Sequence, residues 1–139
     1  MITKQLSVFI ENRQGRLGEV LSVLKENGVN VLSLSLADTT EFGLLRLIVN
    51  DPALGKEKLS AQGFSTMLTD VLIIKIPHVS GSLQTLLEIL SKNEIAIEYM
   101  YGLSIEGERA SVVLKASNMA KADEILTKNG VETIDFDNV

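Results

Sequence analysis

Apolar and polar residues alternate over Gln5 to Ile10, with Leu6, Val8 and Ile10 on one side, which predicts a strand with one buried face. The period then changes. Leu17, Val20, Leu21 and Leu24 fall at i, i+3, i+4 and i+7, one stripe of a helix that ends near Asn27-Gly28, where glycine can take the left-handed cap. Asn30 to Leu36 and Leu44 to Val49 are strand-like runs joined by a polar turn around Thr39 to Glu41. Asp51-Pro52 opens a second helix, because Asp accepts from first-turn amides and Pro sits where no N–H is needed. Phe64 to Leu68 returns as a strand.

The same order then recurs. Val71 to Ile76 alternates as a strand, Ser82 to Asn93 has a helical stripe, and Ile95 to Ser104 and Arg109 to Lys115 flank the hairpin turn Glu106-Gly107-Glu108. Ser117 or Asn118 caps a helix to Lys128, and Val131 to Phe136 closes the series. A shift of 66 positions lays Gly15 on Gly81, Leu17 on Leu83, Leu21 on Leu87, Leu24 on Leu90 and Asn27 on Asn93. Beyond about Ser35 and Tyr101 the match decays, as it does where hairpin lengths differ. The chain is therefore read as βαββαβ twice, residues 1–69 and 70–139. The fold class is α+β, two ferredoxin-like repeats with antiparallel sheets and helices on one face. The junction Ser65-Thr66-Met67-Leu68-Thr69-Asp70-Val71 holds no Pro or Gly, so the last strand of the first repeat should run almost directly into the first strand of the second.

Composition narrows the chemistry. At 139 residues, 45% hydrophobic and 22% charged, the chain has enough apolar surface to fold throughout. No cysteine is present, which removes disulfides, thiolate metal sites and thiolate nucleophiles. A net charge of −5 opposes non-specific nucleic-acid binding, and aromatics at 4% are too few for stacking bases on a βαββαβ sheet. No apolar run approaches the roughly 18 residues of a membrane span, and the N-terminus reaches polar residues too early for a signal peptide. A cytoplasmic protein without membrane or nucleic-acid partners is expected. No nucleophile, base and oxyanion arrangement is visible, so the expectation is a protein that is not an enzyme and uses no cofactor or metal.

The polar turn between first strand and first helix carries the candidate site. Ile10-Glu11-Asn12-Arg13-Gln14-Gly15-Arg16-Leu17 followed by Gly28-Val29-Asn30-Val31 resembles the start of an ACT domain, a regulatory module with Asn-x-Pro-Gly-x-Leu after its first strand; Gln14 stands in the place of Pro. In the second repeat Ile76-Pro77-His78-Val79-Ser80-Gly81-Ser82-Leu83 is a weaker likeness, with His78 in the place of Asn and Ala96 in the place of the second Asn. As a whole the chain resembles a tandem pair of ACT domains. The resemblance implies that an amino acid or similar small carboxylate binds where two such modules meet. In the serine-binding regulatory domain of phosphoglycerate dehydrogenases, which the first repeat resembles, the two asparagines touch the effector; here these are Asn12 and Asn30. The implied ligand-binding set is Asn12, Gln14, Gly15, Arg16, Leu17, Asn30 and Val31, with His78, Gly81, Ser82 and Leu83 in the second repeat.

Physical chemistry points the same way. The amides of Gly15, Arg16 and Leu17 open a helix, and the positive end of its dipole favours an anion. Gly15 gives a ligand room to approach, Asn12 offers both a donor and an acceptor, and Arg16 could grip a carboxylate. Plainer readings stand beside these. Gly15 and Gly81 also serve a strand-to-helix turn with no ligand, Asn12 caps turns locally, loop arginines are commonly solvated, and His78 beside Pro77 fits a surface turn. Asp135 and Asp137 read as a solvated face, and Tyr99 and Tyr101 share one side of a strand. The leading expectation is thus an amino-acid-binding regulatory or sensor protein, a homodimer, acting on an amino-acid biosynthetic enzyme. Its alternative is an assembly subunit similar in outline to the small subunit of acetolactate synthase, acting through protein contact.

Overall fold

The computed structural model of the chain describes residues 1–38 and 41–136. Thr39 and Thr40 of the polar turn, and Asp137, lie outside the described residues. The elements follow the order β1 (Ile2–Glu11), α1 (Arg16–Glu26), β2 (Val31–Asp38), β3 (Phe42–Val49), α2 (Pro52–Ala61), β4 (Ser65–Pro77), α3 (Ser82–Lys92), β5 (Ile97–Glu106), β6 (Arg109–Ala116), α4 (Met119–Lys128) and β7 (Glu132–Ile134). These are two ferredoxin-like repeats with antiparallel strands and helices on one face.

Eight strands were expected and seven are found among the described residues, because the last strand of the first repeat and the first strand of the second are one element. Nothing in Leu68 to Val71 breaks an extended backbone, so β4 runs unbroken for 13 residues. The chain divides into two compact units, Lys4–Thr69 and a second that begins at Asp70 and takes in Met1–Thr3. Met1 belongs to the second because its ammonium hydrogen-bonds Asp123 Oδ1 at 2.6 Å and Thr133 Oγ1 at 2.8 Å.

In the first unit β3 lies between β2 and β1 and is antiparallel to both. Leu6, Val8 and Ile10 of β1 and Leu45, Leu47 and Val49 of β3 point to one face, and Val20, Leu24, Leu59 and Phe64 close over them. This is the alternation of a half-buried strand meeting the stripe of an amphipathic helix. Each fully buried Leu contributes about 1.5–3 kcal/mol, so this cluster is the main stabilising term of the unit.

The second unit has the order β7-β4-β6-β5, and its cluster includes Leu72, Ile74, Ile76, Leu86, Leu90, Val112, Leu114, Ala122 and Leu126. The repeat offset grows by one across the hairpin. Ile10 pairs with Gly43 in the first unit, whereas Ile76 pairs with Ala110 in the second.

Helix ends repeat as well. Val29 N–H reaches back to Leu24 O at 2.9 Å and Ile95 N–H to Leu90 O at 3.0 Å, the closing bond of a left-handed helix terminus. Gly28 takes the left-handed position in the first unit with φ 69°, but Glu94 occupies it in the second with φ 58°. The final strand is shorter than Val131 to Phe136, because the Val131 N–H closes α4 on Leu126 O at 2.9 Å. Asp135 consequently falls after the strand, half-buried. No helix among the described residues is long and apolar enough to cross a membrane.

Candidate functional site

Each repeat turns from its first strand into its first helix through the same backbone. Asn12 N–H binds Glu41 O at 3.0 Å and His78 N–H binds Glu108 O at 2.6 Å, so the hairpin turn of each unit holds the entry to its loop. Gly15 and Gly81 then take φ of 89° and 87° immediately before α1 and α3. A left-handed backbone disfavours any side chain there, which explains both glycines without a ligand. A Cβ at either would meet nothing within 4 Å, so the front of both turns is open.

Capping separates these two helices from the other two. Asp51 Oδ1 accepts from Leu54 N–H at 3.1 Å and Asn118 Oδ1 from Lys121 N–H at 3.0 Å, which satisfies first-turn amides of α2 and α4. At α1 and α3 glycine is the cap residue and no side chain caps the helix. The Arg16 N–H leans on Arg13 O at 3.4 Å and the Ser82 N–H on Val79 O at 3.3 Å, both long contacts. The positive ends of α1 and α3 therefore face the loop without a side-chain acceptor.

Cavities lie against both turns. In the second repeat a cavity of about 800 Å³ is lined by Ile76, Pro77, His78, Val79, Ser80, Gly81, Ser82, Leu83, Gln84, Ala110 and Val112. All four residues picked out there by sequence, His78, Gly81, Ser82 and Leu83, border this one space. In the first repeat the corresponding cavity is about 200 Å³, lined by Ile10, Glu11, Asn12, Arg13, Leu17, Leu36 and Gly43. It brings together Asn12 and Leu17 and leaves the other first-repeat candidates elsewhere.

Gly15 and Arg16 border a different hollow, together with Glu19 and Phe64. The Arg16 guanidinium lies 4.2 Å from the centre of the Phe64 ring and its Nη1 is 2.6 Å from Glu19 Oε2. Those contacts turn it away from the Asn12 cavity, and its side chain is 15% exposed. Gln14 is exposed on the turn. Arg13 pairs with Glu11 at 3.1 Å on the rim of the Asn12 cavity.

Asn30 and Val31 stand at the far end of the sheet. Glu11 lies opposite Phe42 at one end of β3, and Val31 lies opposite Val49 at the other. The eight residues of β3 separate them by roughly 20 Å. Asn30 also bonds through its backbone to Asn50, donating to Oδ1 at 2.8 Å and accepting from the amide at 3.2 Å. Ala96 and Ser117 make the same pair of bonds in the second repeat. The β-hairpin residues that line the two cavities, Leu36 and Gly43 in the first repeat and Ala110 and Val112 in the second, carry no motif; only strand pairing shows that they face the turn. Tyr99 and Tyr101 stack with ring centres 6.4 Å apart.

A family model described as an ACT domain pair matches residues 1–139. A crystal structure of a protein from Bacteroides thetaiotaomicron is similar to the chain at 40% identity, covering 96% of this chain and 92% of that one, with a TM-score of 0.92. The regulatory subunit of aspartate kinase from Thermus thermophilus shares the fold at 17% identity, with 90% and 91% of the two chains covered and a TM-score of 0.61. Its counterpart from Thermus flavus does so at 18% identity, 90% of each chain and a TM-score of 0.62. No curated protein matches the chain.

Proposed function

The chain belongs to the family of ACT domain pairs, typically regulatory, ligand-binding modules rather than catalysts, and on that premise we propose that it is a sensor of a free amino acid or a similar small carboxylate. The observation that supports this most is the second-repeat turn, where an uncapped helix N-terminus and the candidate residues His78, Gly81, Ser82 and Leu83 border a single cavity. Carboxylate binding there uses the α3 amides and dipole, with the hydroxyls of Ser80 and Ser82 as further donors. Two or three such charge-assisted bonds, at roughly 1.5–3 kcal/mol each, match an affinity of about 10 μM to 1 mM.

The proposal includes a homodimer in the cytoplasm. Asn12 and Asn30 of one repeat are too far apart for a free amino acid to touch both, so a ligand held by both asparagines requires a second copy of the chain to supply one of them. The regulated partner in this reading is an enzyme of amino-acid biosynthesis, and coupling of about 1–3 kcal/mol between ligand and partner contacts suffices.

The test is a thermal-shift screen of the purified protein against the twenty amino acids at millimolar concentration, repeated with Asn12→Ala and His78→Ala. A ligand at about 100 times its dissociation constant stabilises the fold by roughly 2.7 kcal/mol. One or a few amino acids should raise the melting temperature, and one of the two substitutions should remove the effect. If no amino acid does so, the sensor reading fails and the assembly-subunit reading takes its place. Exposed Leu34 and Leu36 on the edge strand β2, and exposed Phe9 and Phe42 on β1 and β3, favour that second reading, since exposed apolar side chains suit a protein partner.

A further inference from the structure

We infer that the effector cavity is the one in the second repeat and that it selects an amino acid with an uncharged, apolar side chain, with Gly102 as the residue that leaves room for it. The inference rests on the sensor reading and adds to it which repeat binds and what class of ligand.

Strand pairing identifies the position that matters. Leu36 pairs with Leu45 on the helix-covered face of the first unit, and Gly102 pairs with Val112 on the same face of the second. Leu45 and Val112 both belong to the buried clusters, so Leu36 and Gly102 are equivalent. Leu36 leans over its turn so closely that a Cβ on Gly43 would be 3.2 Å from its Cδ1. It helps line the first cavity and occupies the space that would enlarge it. At Gly102 no side chain projects, and a Cβ there would meet nothing within 4 Å.

The cavity sizes follow. About 200 Å³ in the first repeat becomes about 800 Å³ in the second, and a neighbouring hollow of about 440 Å³ lined by Gly102, Leu103, Ser104 and Ile105 shares Ala110 and Val112 with it. Small-molecule sites commonly fall in the range of about 300–1,000 Å³, which includes the second cavity and not the one at Asn12; the hollow of about 530 Å³ beside Gly15 also falls in it, but Arg16, Glu19 and Glu26 line that one and leave it charged.

Chemistry then sets the ligand class. Ile76, Val79, Leu83, Ala110 and Val112 supply an apolar wall, and none of the lining residues is Lys, Arg, Asp or Glu. Val79 and Leu83 remain 65% and 44% exposed at its mouth, apolar surface that a ligand side chain would cover. A charged side chain entering this space loses hydration and finds no counter-ion, whereas an apolar one loses nothing. The first cavity has the opposite character, with the Glu11–Arg13 ion pair at its rim.

The experiment is calorimetric titration of the full chain with leucine, methionine and phenylalanine, and separately with aspartate, glutamate, lysine and arginine, together with backbone amide NMR shifts. Expected are saturable binding of at least one apolar amino acid, shifts centred on Ser80 to Leu83, and loss of binding in Gly102→Leu with an unchanged melting temperature of the ligand-free protein. Shifts centred on Asn12 to Leu17, preference for a charged amino acid, or undiminished affinity in a folded Gly102→Leu would overturn the inference while leaving the sensor reading intact. Binding of none of these seven, together with no response to any of the twenty amino acids in the thermal-shift screen, would overturn both. Should Gly102→Leu not fold, the amide shifts of the unsubstituted protein decide between the two repeats.

Discussion

Gly15 and Gly81 share a backbone conformation to within a few degrees, at φ 89° and 87°, yet the cavity at Asn12 in the first turn measures about 200 Å³ and the matching one at His78 and Gly81 about 800 Å³. The difference does not come from the turns. Hydrogen bonds to the hairpin, the left-handed glycine and the uncapped helix are alike in both repeats. What differs is the strand across from the turn, where Leu36 fills and Gly102 leaves open. A duplicated fold thus keeps its geometry through backbone constraints that many sequences satisfy, while single side chains set how much space opens beside each turn.

The strongest test of that equivalence is in the cores. Leu24 and Leu90 are each 1% exposed at matching helix positions and anchor the two clusters. Leu24→Ala and Leu90→Ala should each destabilise by about 2–5 kcal/mol, read by urea denaturation, with both losses inside that band. A cost under about 1 kcal/mol at one of them would show that its core relaxes around the void, and the two units would no longer be equivalent in packing.

A finer contrast lies in the second helix of each unit. Gly55 in α2 and Ala122 in α4 stand four residues after the caps Asp51 and Asn118, and both are buried. A Cβ on Gly55 would sit 2.9 Å from Leu6 Cδ2 and 3.3 Å from Leu24 Cδ2, so helix and sheet approach more closely there than a methyl allows. Ala122→Gly should destabilise by about 2 kcal/mol, roughly 1 from helix propensity and about 0.8 from the lost buried methyl. Gly55→Ala gains the same propensity but overpacks, for a net loss of about 1 kcal/mol. Net stabilisation by Gly55→Ala would mean that Leu6 and Leu24 yield readily and that the closer approach is incidental.

Much of this architecture was legible in the sequence, and the reason is physical. Strand alternation, the leucine stripes and the glycines at the turn all reflect local periodicity or steric demand, and they repeat at an offset of 66 from Leu6 through Val31. The cavity was not legible. Leu36 and Gly102 lie just past Ser35 and Tyr101, where the residue match decays, and their pairing with β3 and β6 includes irregular registers at Val31/Ser33 and Gly102/Ser104. Which side chain faces a turn across a bulged hairpin depends on pairing that no local pattern encodes. Arg16 was similarly hidden: a loop arginine reads as available for a carboxylate until Phe64, far along the chain, is seen to receive it.

The smallest effect expected sharpens the comparison at the helix ends. Gly28 and Glu94 hold the same left-handed position, with φ 69° and 58°, and the flanking hydrogen bonds match: Gly28 N–H to Lys25 O at 3.2 Å, Glu94 N–H to Ser91 O at 3.1 Å. Glutamate is disfavoured in this conformation by about 1–2 kcal/mol through the contact between Cβ and the carbonyl. Replacing it with glycine removes that strain, while the greater freedom of glycine in the unfolded chain takes back roughly 0.5–1 kcal/mol. Glu94→Gly should therefore stabilise by about 0.5 kcal/mol, and Gly28→Glu should destabilise by a like amount, both measured as shifts in the denaturation midpoint at constant slope. If Glu94→Gly instead destabilises, the glutamate side chain makes a compensating contribution at that corner. The second repeat would then differ from the first in its helix terminus as well as in its cavity.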